Sequence, residues 1–501
     1  FRNEISAVAK SNRYFHWCVE FPEVFAEDGG FDVMCGNPPW DKLQMEDEKW
    51  FLGKDNDIVN AANQAARNKL IAKLETKNPI LFKEYQEARQ GISSQANFIK
   101  NSGRFPLTAV GKIDLFPLFA EHCLQCSKEG WGLVLPTGIA VNDTSKAFFS
   151  KLIDENRLIS LYDFENREGL FDIHRMFKFC LLTAGKAQTK TRKVSGGFFL
   201  TRLDHLLDPN RIYTLDTKDF TRLNPNTKTC PIFRTSKDAK LTSKIYSNST
   251  ILLNEVTNEN CWDVKLGSML NLSTDSNLFY TYAQLIDAGA VLQGNHFAMN
   301  NEEYVPLYEG KMIYLYNHHY ADWPIEGERP NSVATPSLQA LSDPNNTPMP
   351  WYWVARDEVY SRLVKTNARN ETIWKWNHKW LIGFRDITNA TNERTFICSP
   401  IPDANGVGNS ATLLYVESGT MPAATLLGMM SSLVFDYTTR QKVGGSHASI
   451  GFVKQFPVLT PEQISSSGYQ RDIVERVAKL CWFNHDLDGW MEELREECAA
   501  R

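Results

Sequence analysis

An α/β fold is the architecture this sequence predicts: a doubly wound, Rossmann-like sheet followed by a mixed α/β module. Three observations predict it. Short apolar runs bounded by Gly and Pro, such as Phe31–Cys35 and Gly130–Leu135, alternate with helix-forming stretches, the pattern of strands crossed by helices. The first run leads straight into Asn37-Pro-Pro-Trp40, so a rigid polar turn stands at a strand's C-terminal end, where open α/β sheets place their ligands. Near residue 205 the composition shifts towards Asn, Thr, Asp and Lys with weak periodicity, and 501 residues are too many for one core.

In chain order, residues 1–30 hold a basic helical lead-in and a dense aromatic stretch, Phe15 to Phe25, expected to pack beside the opening strand. Phe31–Cys35 reads as a buried strand of a parallel sheet. Residues 45–103 are polar and helix-forming, a helical insertion with the character of a mobile cover over the turn. Gly111 to Phe119 opens a helix whose Pro117 is tolerable in the first turn. Gly130–Gly138 is then a buried strand ending in a turn, and Ser145 to Ile153 is helical. Leu158–Phe164 and Phe177–Thr183 read as two further strands, expected as an antiparallel hairpin at the sheet edge. Beyond the turn-rich Leu223–Arg234, runs such as Lys311–Tyr316 and Arg394–Cys398 suggest strands, Gly444–Gly451 a loop, and Gln470–Glu497 an amphipathic helical region.

Net charge is −5 and 43% of residues are hydrophobic, which suits a globular chain without a general affinity for polyanions. Charge is instead local. Residues 201–250 carry nine lysines and arginines against five acids. Residues 362–395 carry seven against three, interleaved with Trp374, Trp376, Trp380 and Phe384. That second window has what a phosphate-tracking surface needs, although a solvated face of snorkelling lysines has the same composition. Ten cysteines without paired spacing favour reduced thiols in the cytoplasm, and no apolar run is long enough to span a bilayer. His122, Cys123 and Cys126 are expected to share a buried helix face, with no metal.

The turn itself carries chemistry. The Asn37 amide oxygen and the Pro38 carbonyl are two acceptors held by successive prolines, able to take both hydrogens of one planar amino group. Trp40 adds a π-face suited to stacking a flat ring, which together makes a seat for an extruded base. An ordinary strand-to-helix turn is the competing reading of the same tetrapeptide.

Asn37-Pro-Pro-Trp40 resembles the catalytic motif of adenine-N6 DNA methyltransferases. Gly111-Lys-Ile-Asp-Leu-Phe116, Gly132–Thr137, and Phe171 with Arg175–Leu182 follow in the order of the TaqI-like γ class. Leu223–Arg234, Tyr308–Ile313, Arg385-Asp-Ile-Thr388 with Asn392–Arg394, and Gly444–His447 are similar to segments of large type IIG-like restriction and phage-defence methylases. The resemblance implies a site-specific DNA methyltransferase with S-adenosyl-L-methionine as cofactor and double-stranded DNA as partner, and no membrane. It gives Asn37 and Pro38 the adenine amine, with Pro39 in the same catalytic motif, Trp40 the stacking of the base, and Phe171 its support from another side, with Phe177 competing for that last role. Asp114 and Phe116 fall near the cofactor's methionine end, and no metal is required.

The implied organisation is an incomplete catalytic domain at 1–204 with a helical insertion at 46–105, a connector at 205–260, a target-recognition domain at 261–469 and a helical segment at 470–501. Arg385, Arg394, Lys375 and Lys379 are the candidate DNA contacts; the two arginines serve equally well for guanine edges, phosphates or internal ion pairs. One feature departs from the family. No glycine-rich cofactor loop stands among the 36 residues before Asn37, so Phe1 reads as an internal start, the loop is expected upstream or on a partner chain, and this chain is expected to bind the cofactor weakly or not at all. A protein-glutamine methyltransferase, which grips an amide NH₂ with the same device, and a non-catalytic DNA-recognition subunit are the alternatives.

Overall fold

The computed structural model describes residues 2–12, 15–26, 29–61, 64–325, 327–443 and 446–500. The chain divides into two compact units, Phe1–Lys237 and Asp238–Arg501.

The first unit is built on a six-stranded sheet: β1 (Phe31–Gly36), β2 (Ser127–Pro136), β3 (Leu158–Glu165), β4 (Lys178–Gly185), β5 (Lys193–Leu200) and β6 (Tyr213–Asp216). Their spatial order is β1-β2-β4-β3-β5-β6. β1 runs parallel to β2 and β3 parallel to β5, while β4 is antiparallel to both its neighbours and β6 to β5. The sheet is therefore mixed. The β3–β4 hairpin is antiparallel as expected but lies inside the sheet, because β5 and β6 extend it beyond β3. Ser195, Gly196 and Gly197 hide β5 in the sequence, since small residues carry no β signal.

β1 departs from its expected burial. Among the described residues β2 is the one strand that pairs with it, and Val33 is 65% exposed. The lead-in does pack beside it: the rings of Trp17, Phe21 and Phe25 each meet Phe31 edge-on at 5.5 Å. The insertion contains helices Gln64–Lys77 and Pro79–Asn101, and it has a small core of its own, with Phe51, Ile58, Ile71, Leu74, Leu81 and Tyr85 buried together. It is thus a packed helical unit and more than a cover.

Asp163 shows how the sheet holds an irregular backbone. The residue is 1% exposed on β3 and accepts from the Thr137 hydroxyl and, at 3.1 Å, from the Phe199 amide. Phe199 has φ +58°, a left-handed conformation that costs a bulky residue about 1–2 kcal/mol and needs such support. Burial raises the Asp163 carboxyl above its ordinary range. Asp163→Ala strands two buried donors at about 1–3 kcal/mol each. Urea unfolding of that variant should show the first unit weakened by about 2–5 kcal/mol.

In the second unit a four-stranded antiparallel sheet runs in the order Cys398–Pro402, Trp380–Arg385, Ala411–Val416 and Val264–Gly267. A second sheet includes Val291–Gln293, His296–Met299, Glu302–Tyr308 and Tyr352–Ala355. Helix Thr420–Met430 and the C-terminal helices Gln470–Cys481 and Asp488–Ala499 complete the main core. Lys311–Tyr316, expected as a strand, is a 3-10 turn at Gly310–Met312 leading into a tight reversal. Tyr314 and Asn317 bond each other's backbones there, and Tyr316 takes φ +63°. In Arg394–Cys398 regular pairing begins only at Cys398, because the Thr395 and Phe396 amides donate to the Asp436 carboxylate. The C-terminal amphipathic region is two helices separated by a turn at His485–Leu487. Gly444 and Gly445 of the expected loop lie outside the described residues.

Candidate functional site

β1 ends at Gly36, so Asn37 starts the loop at the C-terminal end of a strand parallel to its neighbour. Asn37 is exposed and Pro38 half-buried. Trp40 is anchored from below, its indole N–H donating to the Val134 carbonyl of β2 at 3.3 Å. After Trp40 the chain pairs with the segment entering helix Leu115–Cys126: Leu43 N–H meets the Ile113 carbonyl at 2.8 Å, and Leu115 N–H the Asp41 carbonyl at 3.0 Å. This ties Asp114, half-exposed at the helix start, to the turn. Phe116 is 7% exposed and packs inward.

Three phenylalanines face Trp40. Phe177 lies parallel to it, with centroids 5.7 Å apart and planes 15° apart, and Phe179 continues the stack at 6.4 Å and 25°. Phe171 meets Trp40 edge-on at 6.3 Å and 77°. A ring inserted between parallel aromatics needs about 7 Å, two carbon contacts of about 3.5 Å. Phe177 is itself 43% exposed, so solvent reaches this side of the stack.

Asn166, which sequence reasoning passed over, organises this wall. It is fully buried, and its side-chain amide donates to the Phe171 and Ile173 carbonyls at 2.9 and 3.0 Å while accepting from the Phe171 amide at 3.0 Å. Its own amide bonds the Phe177 carbonyl at 3.0 Å. One residue thereby holds the backbone at both aromatic candidates, Phe171 through its side chain and Phe177 through its main-chain amide. The only signal in the sequence was an Asn directly after a strand, ahead of a Gly; Gly169 takes φ +72° in the same turn.

His122, Cys123 and Cys126 sit on helix Leu115–Cys126, and burial lowers the His122 imidazole and raises both thiols. Among the described residues no group of three ligating side chains is placed to hold a metal ion.

The four cations named as DNA contacts lie in the second unit, in different surroundings. Lys375 is exposed at the end of strand Thr372–Lys375, and Lys379 is paired with Glu492 at 2.9 Å. Arg394 is half-buried with one Nη lacking any partner. Arg385 ends strand Trp380–Arg385, and neither arginine meets a carboxylate among the described residues.

Residues 1–171 match the family model of the Eco57I restriction-modification methylase. No curated protein sequence matches the chain. The solved structures that overlap it include the following three. The methyltransferase subunit of a type I restriction-modification system from Streptococcus thermophilus is 11% identical, covering 40% of this chain and 38% of its own, with a TM-score of 0.25. The type IIL restriction-modification enzyme MmeI, in complex with DNA, is 9% identical over 93% of this chain and 57% of its own, with a TM-score of 0.34. A nuclease-deletion mutant of the type ISP enzyme LlaGI, in complex with a DNA substrate mimic, is 10% identical over 94% and 44%, with a TM-score of 0.40. The chain spans between 38% and 57% of the length of these proteins. Over its matched segment the chain is similar to restriction-modification methylases, the class that the order of its motifs indicated. Within the described residues no helix is long and apolar enough to cross a membrane.

Proposed function

We propose that this chain is part of a site-specific DNA methyltransferase of a restriction-modification or phage-defence system, acting on N6 of a flipped adenine. The observation that carries the reading is the pairing of Asn37-Pro-Pro-Trp40 at the end of β1 with an exposed ring, Phe177, parallel to Trp40. Two acceptors at the edge of a slot between two π-faces suit a planar base with an exocyclic amine. Phe177 forms the second face and Phe171 closes the slot edge-on. This is the role sequence reasoning divided between the two.

An exocyclic adenine amine is a weak nucleophile because its lone pair is delocalised into the ring. The Asn37 carbonyl oxygen and the Pro38 carbonyl accept its two hydrogens, favouring a pyramidal nitrogen and stabilising the positive charge that grows on it during transfer. Trp40, fixed through Val134, sets the plane of the ring. S-adenosyl-L-methionine supplies the electrophilic methyl when bound. Asp114, a half-exposed carboxylate tied to the turn, fits an ammonium at the methionine end, whereas the buried Phe116 offers a cofactor little surface. This chain's described residues thus fit one end of the cofactor.

The test is transfer of tritiated methyl by the intact protein to duplex DNA or to a protein acceptor, followed by nucleoside digestion of the DNA. Label is expected in N6-methyladenine; label confined to the protein acceptor favours a glutamine methyltransferase and overturns the reading. Phe177→Ala should weaken transfer by about tenfold or more through lost stacking of roughly 1–3 kcal/mol, and Phe171→Ala less.

A further inference from the structure

Arg385 is held in a way that leaves its charge without an anionic partner. Its Nε donates to the Ile313 carbonyl at 2.9 Å and one Nη reaches the Lys311 carbonyl at 3.5 Å. The guanidinium lies 5.4 Å from the ring centres of both Tyr314 and Tyr320, which stack on each other at 4.7 Å and 23°. The neighbouring acids are engaged elsewhere: Glu393 points its carboxylate at the Tyr314 hydroxyl, 3.4 Å away, and Glu309 is bonded by Arg329 at 2.6 and 2.7 Å. Burial lowers the Arg385 guanidinium from its ordinary range, as expected for a cation with no counter-ion nearby.

Lys311, whose carbonyl Arg385 reaches, is the adjoining cation. Exposed Lys311 donates to the Asn331 carbonyl at 2.6 Å and lies 5.5 Å from the Trp323 ring. Arg329 sits over the same ring at 4.4 Å and over Tyr352 at 5.1 Å. Cations held on aromatic faces and on backbone carbonyls are fixed in direction before any ligand arrives, which lowers the ordering cost of binding.

We propose that this strip of Arg385 and Lys311 docks the phosphate backbone of duplex DNA, with Arg385 as its anchor and Arg329 answered by Glu309. The proposal rests on the DNA-modification reading above and names the surface that would hold the substrate. A phosphate suits Arg385 better than a guanine edge. Reading guanine takes two parallel donors, whereas the Nε and one Nη here already point at protein carbonyls, so the remaining Nη acts as a single charged donor. Lys311 beside it is a point charge, which likewise recognises phosphate and not base identity.

Binding of two duplexes of unrelated sequence by the intact protein, followed by fluorescence anisotropy across a salt series without cofactor, tests this. Arg385→Ala should weaken both duplexes by the same factor, about tenfold, and lower the slope of log affinity against log salt by about 0.9. Lys311→Ala, at an exposed side chain whose loss leaves the core intact, should lower the slope similarly, and it serves where Arg385→Ala fails to fold by thermal denaturation. An unchanged slope in folded Arg385→Ala, or in Lys311→Ala where Arg385→Ala does not fold, overturns the proposal. So does a changed preference between the two duplexes, which marks base reading. Adenine methylation that persists alongside unchanged slopes leaves the methyltransferase reading standing without the strip. Failure of the unsubstituted protein to bind either duplex overturns both.

Discussion

Asn37→Ala is expected to reduce adenine methylation by about 10²- to 10³-fold, the usual loss when one preorganised transition-state hydrogen bond is removed. The side chain is exposed at the end of β1, so truncating it opens no cavity and the fold is expected to survive. The loss should fall on kcat, because the Asn37 oxygen gains most from the amine as positive charge develops on nitrogen. DNA affinity, measured separately, should be unchanged. Single-turnover kinetics with tritiated donor checks the rate, and label on adenine persisting at the unsubstituted rate would remove Asn37 from the mechanism. Asn37→Asp is informative too. Its carboxylate also accepts, so a partial recovery relative to alanine would point to acceptance of the amine hydrogens as the operative interaction.

The largest expected stability effect lies in the second unit, at Glu493. From helix Asp488–Ala499 its carboxylate accepts from the Lys379 amide at 2.7 Å, the Thr420 hydroxyl and His378 Nδ1 at 2.8 Å, and the Trp380 indole at 2.9 Å. One side chain thereby fastens the strand Trp380–Arg385 and the start of helix Thr420–Met430 to the C-terminal helix. Burial alone would raise this carboxyl, but the four donors outweigh burial and hold it at about 2. Glu493→Ala leaves those donors without their acceptor and should cost about 3 kcal/mol or more, read by chemical denaturation with tryptophan fluorescence. The acid dependence follows from the same geometry. With the folded carboxyl at about 2 and the ordinary value at 4.5, the unfolded chain binds more protons between those limits. The contribution is complete above about pH 4.5 and is lost as pH falls through 2. Glu493→Gln should flatten that part of the stability profile, and a profile identical to the parent's would show that the carboxylate charge is not what binds the helix.

Much of the first unit was legible because its signals are local. A strand followed at once by Asn-Pro-Pro-Trp states both where the chain turns and which groups are exposed there, since proline fixes φ whatever surrounds it. The helix opened by Gly111–Phe119 and the antiparallel β3–β4 pair could be read for the same reason. β5 is interrupted in the sequence by Ser195, Gly196 and Gly197, and its place is decided by Asp163 and by pairing with β3. In the second unit Lys311–Tyr316 has a strand's composition but turns back on itself, stacking Tyr314 against Tyr320.

The sequence by itself determined the chemical identity of the turn: two amine acceptors and an aromatic at a strand's end, with basic and aromatic residues gathered later in the chain. Only the tertiary structure decided that Phe177 lies parallel to Trp40 while Phe171 meets it by an edge, that Asn166 holds the backbone at both, and that Arg385 lacks a counter-ion while Lys379 has one. Composition and backbone preference act over a few neighbouring residues. The direction a ring faces and the partner a charge finds depend on residues distant in sequence that the fold brings within a few ångströms.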